Sequence, residues 1–184
     1  MCDASSFTKM AVVAAGAGAL GLLVGKKLGT KGPTGFVERI GDAKAKNISV
    51  ITPAEAKTFI AGDGHPASKP LIIDVRDSGD IAEGIKGAVN IPLSNLVFAA
   101  DQDFSVGDDI KVNGEVKIPK GTKFCHPQLA GSKEKPILVS CGLGGQALIG
   151  AGILADYGFT HVKVVDGGNI AWMNAKGEVC DCMK

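Results

Sequence analysis

Cys141, Gly142, Leu143, Gly144, Gly145, Gln146 and Ala147 form the stretch of this 184-residue chain whose residue types and spacing best suit chemistry. The apolar run Ile137-Leu138-Val139-Ser140 leads into the cysteine, and Leu148 to Tyr157 continues past the glycines with a helical composition. A buried strand, a tight loop and a helix are the elements this pattern predicts. The cysteine then stands at the carboxyl end of a strand, where open α/β sheets hold their ligands. Gly142, Gly144 and Gly145 allow backbone N–H groups to turn inward around the sulfur, and the helix start adds its positive end. Both features place positive partial charge beside a sulfur nucleophile. A buried, inert cysteine is the alternative these residues leave open.

The rest of the composition narrows the chemistry. Lys+Arg 20 against Asp+Glu 19 gives a net charge of +1, and aromatics are 5% of residues. Neither an electrostatic footprint nor a base-stacking surface for nucleic acid is present. The five cysteines (2, 125, 141, 180 and 182) show no CxxC spacing, and the apolar content is too high for a disulfide scaffold. Cys125-His126 would be half of a metal site at most, because such sites need three or four ligands. We read the pair as a loop thiol and a surface imidazole.

Strands and helices must position the cysteine loop, and their signals run along residues 47–176. Ile48 to Ile51 predicts an edge strand, and Thr52-Pro53-Ala54-Glu55 a capped helix start with Ala56, Phe59 and Ile60 on its buried face. Leu71-Ile72-Ile73-Asp74-Val75-Arg76 predicts a central strand whose Asp74 and Arg76 share one side. That pair either holds loops together or borders the site, and we favour the structural role. Gly87 to Leu93 is a short strand with a proline exit. Residues 98–135 break the α/β pattern as an insert, in which Ile110 to Ile118 alternates around Asn113-Gly114 as a surface hairpin. Val162 to Val165 is a further strand, and Asn169 to Met173 a final helix. Residues 177–184, with Cys180 and Cys182, read as a tail.

Before this domain, Met10 to Gly25 carries no charge. Extended to residues 5–28, the run reaches the length of a spanning helix, with Lys9 able to snorkel. Gly21-x-x-x-Gly25 is a close-packing motif, so other transmembrane helices of a complex are the expected neighbours. A cleaved signal or transit segment is the rival reading. Lys26, Lys27, Lys31 and Arg39 then put the domain on the positive-inside face of the membrane. The expectation is an organelle inner membrane, mitochondrial in preference to thylakoid or bacterial, with residues 29–46 as linker and a short helical piece at 36–40.

Five stretches in order resemble the rhodanese family of sulfurtransferase domains: Leu71 to Arg76, Gly87 to Leu93, Lys135 to Cys141, Gly158 to Val162 and Asp166 to Trp172. The resemblance implies a single parallel sheet of about five strands with helices on both faces, as the alternating elements also suggest. It implies further that Cys141 carries a transferable sulfur as a persulfide, cradled by the N–H groups of Gly142 to Ala147. Thiosulfate or a persulfide would be donor and a thiol the acceptor, with no cofactor and no metal. Gln146 stands where the family's Cys-x-x-Gly-x-Arg loop has arginine, and Gly84-Ile85-Lys86 lacks the histidine often found there. The related phosphatases need one more loop residue and the arginine. Two functions follow: membrane-tethered sulfane-sulfur transfer, or an accessory or binding module of a membrane complex in which Cys141 is weak or idle.

Overall fold

The computed structural model describes residues 35–46, 48–62, 69–77 and 83–180. Its centre is a five-stranded parallel sheet built from β1 (Ser49–Ile51), β2 (Leu71–Asp74), β4 (Val89–Asn90), β7 (Ile137–Ser140) and β8 (Val162–Val165), in the order β1-β8-β7-β2-β4. β7 lies in the middle, with Ile137 level with Leu71 on one side and Val162 on the other. All four of its residues are buried, as expected for an apolar strand covered on both faces.

Side-chain alternation divides the core in two. Ile73, Ile137, Val139 and Val164 face α3 (Leu93–Ala100) and α4 (Gly145–Asp156). Ile51, Ile72, Leu138 and Val165 face α2 (Pro53–Ala61) and Trp172 of α5 (Gly168–Asn174). A fully buried aliphatic side chain contributes about 1.5–3 kcal/mol, so these two layers carry most of the fold's stability. The capping box of α2 forms as its sequence predicts. Thr52 Oγ1 accepts the Glu55 N–H at 3.3 Å, and Glu55 accepts the Thr52 N–H at 2.8 Å.

α4 is apolar around most of its circumference because three neighbours cover it. The sheet takes one side, α3 approaches Gly150, and α1 (Phe36–Lys44) crosses its outer face. A methyl group on Gly150 would lie 3.2 Å from both Leu96 and Val75, and one on Gly152 would lie 3.1 Å from Ala43. Thus residues 36–44 are part of the packed domain rather than linker, and the helix runs past Ile40 with Ala43 buried.

The hairpin of β5 (Ile110–Val112) and β6 (Glu115–Ile118) turns at Asn113 and Gly114, both with positive φ (52° and 82°). That geometry is what an Asn-Gly turn supplies. The segment read as tail is tied back: β9 (Val179–Cys180) pairs antiparallel with β3 (Gly84–Ile85), and Lys86 meets Glu178 at 2.9 Å. The helix expected at 5–28 lies outside the described residues. Among those described, no helix is long and apolar enough to cross a membrane.

Candidate functional site

Cys141 follows the last residue of β7 and is 2% exposed. Its Sγ accepts the N–H of Gly144 at 3.1 Å. Gly144 caps α4 with φ 95°, a left-handed conformation that favours glycine. The helix start therefore directs a backbone dipole at the sulfur. The two flanking glycines do other work. Gly142 has open space where a side chain would stand, whereas a methyl on Gly145 would lie 2.7 Å from Cζ of Phe36. Gly145 is a seat for α1.

The loop is also held from the other face of the sheet. At the start of α5 the Asn169 N–H donates to the Cys141 carbonyl at 2.7 Å, and the Ile170 N–H to the Gly142 carbonyl at 3.2 Å. Gly167 and Gly168, both at positive φ, bring the α5 backbone that close. Sequence reading missed Asn169, although Asp166-Gly167-Gly168 before it marks a tight strand-to-helix turn.

Asp74 and Arg76 form a paired group beneath this loop. Arg76 Nη2 donates to Asp74 Oδ2 at 2.7 Å and to the Glu83 carbonyl at 2.9 Å, and its Nε reaches both Asp74 oxygens at 3.0 Å. The fully buried Asp74 also accepts Asn169 Nδ2 at 2.8 Å, and Asn169 Oδ1 accepts the Ser140 hydroxyl at 2.8 Å. Every polar atom of this buried chain is partnered, which is the condition for such a network to stabilise. The two charges pair locally, and Arg76 in addition lines the cysteine's cavity.

That cavity holds about 620 Å³. Its walls include Phe36, Arg76, Cys141, Gln146, Ile170 and Met173, with Leu143 exposed at the rim. Gln146, second residue of α4, separates the cavity from a neighbouring groove that contains Arg39 and Asp77. Ala147 points the other way, into the core. Phe36, Ile170 and Met173 were not foreseeable as wall residues, because two elements distant in sequence, α1 and α5, bring them together.

Cys125 and His126 lie elsewhere, at the base of the insert. His126 Nδ1 accepts the Gln128 N–H at 3.3 Å and caps the short 3-10 turn Pro127–Leu129. Among the described residues no group of three or more His, Cys, Asp or Glu side chains is placed to hold a metal.

Comparison with known proteins agrees with the fold. No curated protein matches the chain. Similar solved structures include a protein of unknown function, a possible tyrosine phosphatase, from Rhodopseudomonas palustris CGA009. It is 22% identical, with 84% of this chain and 100% of that one covered at a TM-score of 0.60. A rhodanese-like domain from Anabaena sp. is 23% identical over 71% of this chain and 77% of its own, at a TM-score of 0.49. At 22% identity the likeness to the first of these is one of fold. The family model of the rhodanese-like domain matches residues 52–175, spanning all five strands of the central sheet except β1 and reaching past Asn169. The chain belongs to the rhodanese-like domain family.

Proposed function

We propose that the chain carries sulfane sulfur as a persulfide on Cys141. The observation that carries this reading is the bond from the Gly144 N–H to Cys141 Sγ, made where a cavity reaches the sulfur at the end of the central strand. In the forward step Sγ attacks the outer sulfur of a donor. The new S–S bond forms as the donor's own bond breaks, and the electron pair leaves with the donor fragment. An acceptor thiol then removes the sulfur by the same displacement. The Gly144 N–H and the α4 terminus stabilise negative charge on the loaded sulfur, and α5 keeps the loop from rearranging. Intact mass after incubation with thiosulfate or a persulfide donor tests this. One added sulfur, absent from Cys141→Ser, is the expected result, and an unloaded Cys141 overturns the reading.

A second reading, an accessory module that docks another protein, draws on the insert. Phe98, Phe104 and Phe124 are exposed, with ring centroids 6.4 Å and 6.2 Å apart around Phe124. Clustered exposed aromatics mark contact surfaces. Under this reading Cys141→Ser leaves assembly intact, while changing the phenylalanines to serine abolishes it. In both readings the tether is the uncharged run Met10 to Gly25, whose support is sequence length and charge. Extraction from membranes by alkaline carbonate would remove that part of the proposal.

A further inference from the structure

The walls of the Cys141 cavity say which sulfur donors it suits. Thiosulfate is a dianion and needs an unpaired cation or several donors to replace its water. Among the described residues, the one charged side chain lining the cavity is Arg76. Its charge is already paired with Asp74, through Nε and Nη2, and Nη2 also donates to the Glu83 carbonyl. Gln146, at the mouth, is neutral. Arg39 faces the adjoining groove beside Asp77 rather than this cavity.

Apart from Asn169 and the backbone of the glycine loop, the remaining wall is apolar and comes from three directions. Phe36 of α1, Ile170 and Met173 of α5 and Leu143 of the loop are 54%, 47%, 36% and 74% exposed. Gly145 makes room for Phe36, since a methyl there would lie 2.7 Å from Cζ of its ring and force the ring to shift. The helix that sequence reading treats as linker thus supplies the cavity with an aromatic side chain.

We propose that the site takes sulfur from organic sulfane compounds with an aromatic or branched aliphatic group, in preference to inorganic thiosulfate, and that Phe36 binds that group. The inference rests on the sulfur-transfer reading above. With a thiosulfonate R–SO2–S⁻, the Cys141 thiolate bonds to the terminal sulfur and the S–S bond to the sulfonyl group breaks. The electron pair leaves with the sulfinate R–SO2⁻, and Cys141 retains S–S⁻. With a persulfide R–S–SH the leaving group is R–S⁻, which takes a proton from water. Neither step needs an added oxidant or reductant.

The test loads the full chain from methanethiosulfonate, benzenethiosulfonate and thiosulfate, with mass spectrometry following Cys141. The first two carry the same charge and both expel a sulfinate, and they differ in the group R that it carries. Half-burying a phenyl ring is worth roughly tenfold in kcat/KM, so benzenethiosulfonate should exceed methanethiosulfonate about tenfold, with thiosulfate slowest. Phe36→Ala should bring the benzene-to-methane ratio close to one, and Met173→Ala should lower it independently. Phe36→Leu serves if the alanine variant loses its native circular dichroism. Gln146→Arg should raise thiosulfate loading about tenfold at low salt, and less as salt screens the charge. Thiosulfate loading as fast as benzenethiosulfonate overturns this inference and leaves sulfur transfer standing. So does a ratio that neither wall substitution moves, or thiosulfate loading that depends on Arg39. A Cys141 that loads from no donor overturns both.

Discussion

Asn169 binds Cys141 through its backbone and Asp74 through its side chain, so one residue joins the site loop to the buried polar network. Its N–H reaches the Cys141 carbonyl at 2.7 Å and its Nδ2 reaches Asp74 Oδ2 at 2.8 Å. Asn169→Ala keeps the first bond and deletes the second, leaving the Ser140 hydroxyl without its acceptor and Asp74 Oδ2 with Arg76 alone. A loss of about 2–3 kcal/mol in urea denaturation is expected. Sulfur loading of Cys141 should slow as the start of α5 shifts.

Asp74→Asn removes the charge that holds Arg76. Asp74 is fully buried and the Arg76 side chain is 12% exposed, so the cation is left poorly solvated. Breaking such a pair costs about 3–5 kcal/mol. The denaturation midpoint should fall accordingly, and the double variant Asp74→Asn, Arg76→Met should recover part of the loss.

Gly168→Ala tests how closely α5 must approach the loop. A methyl group there would overlap the Cys141 carbonyl oxygen and lie 2.7 Å from that of Gly142, at a residue with φ 60°. Both obstacles are backbone atoms, which cannot move aside without releasing the loop. We expect more than about 3 kcal/mol of destabilisation. Gly142→Ala, with open space and no positive φ, should change stability by less than about 0.5 kcal/mol.

Glu55 gives a pH-dependent contribution of known sign. The Thr52 backbone N–H, and after it the Thr52 hydroxyl, hold the Glu55 carboxyl below the ordinary glutamate range. A group depressed in the folded state stabilises fully above its unfolded value, and the gain is lost as pH falls through the folded one. Glu55→Gln should therefore be less stable than the parent at neutral pH and equal to it in acid. Urea midpoints across the acid range measure this. A gap that stays constant with pH would assign the effect to packing.

Local signals made much of this molecule readable from its sequence. The run Ile137 to Ser140, the Thr52–Glu55 box and the Asn113-Gly114 turn each act within a few residues, and each forms where expected. α3 went unseen because Pro92 offers no side-chain cap, although Leu93, Leu96 and Ala100 carry the helical spacing. Gly145 and Gly152 were legible as glycines but not as seats for Phe36 and Ala43, since the partner helix lies a hundred residues away in sequence. The same holds for β9, whose two residues find β3 only in the folded chain.

The strand order also sets when the chain can fold. β1 has no neighbour in the sheet until β8 exists, since Ser49 pairs with Lys163, and Leu71 must wait for Ile137. A ribosome therefore releases the first half of the domain with β1 unpaired and β2 paired only with the two-residue β4, and the segment ending in Cys141 is the one that brings the halves together. Closing such distant contacts is entropically slow and leaves apolar edges open in the interval. Nascent chains stalled before residue 137 should bind general chaperones, and those that extend past residue 165 should not.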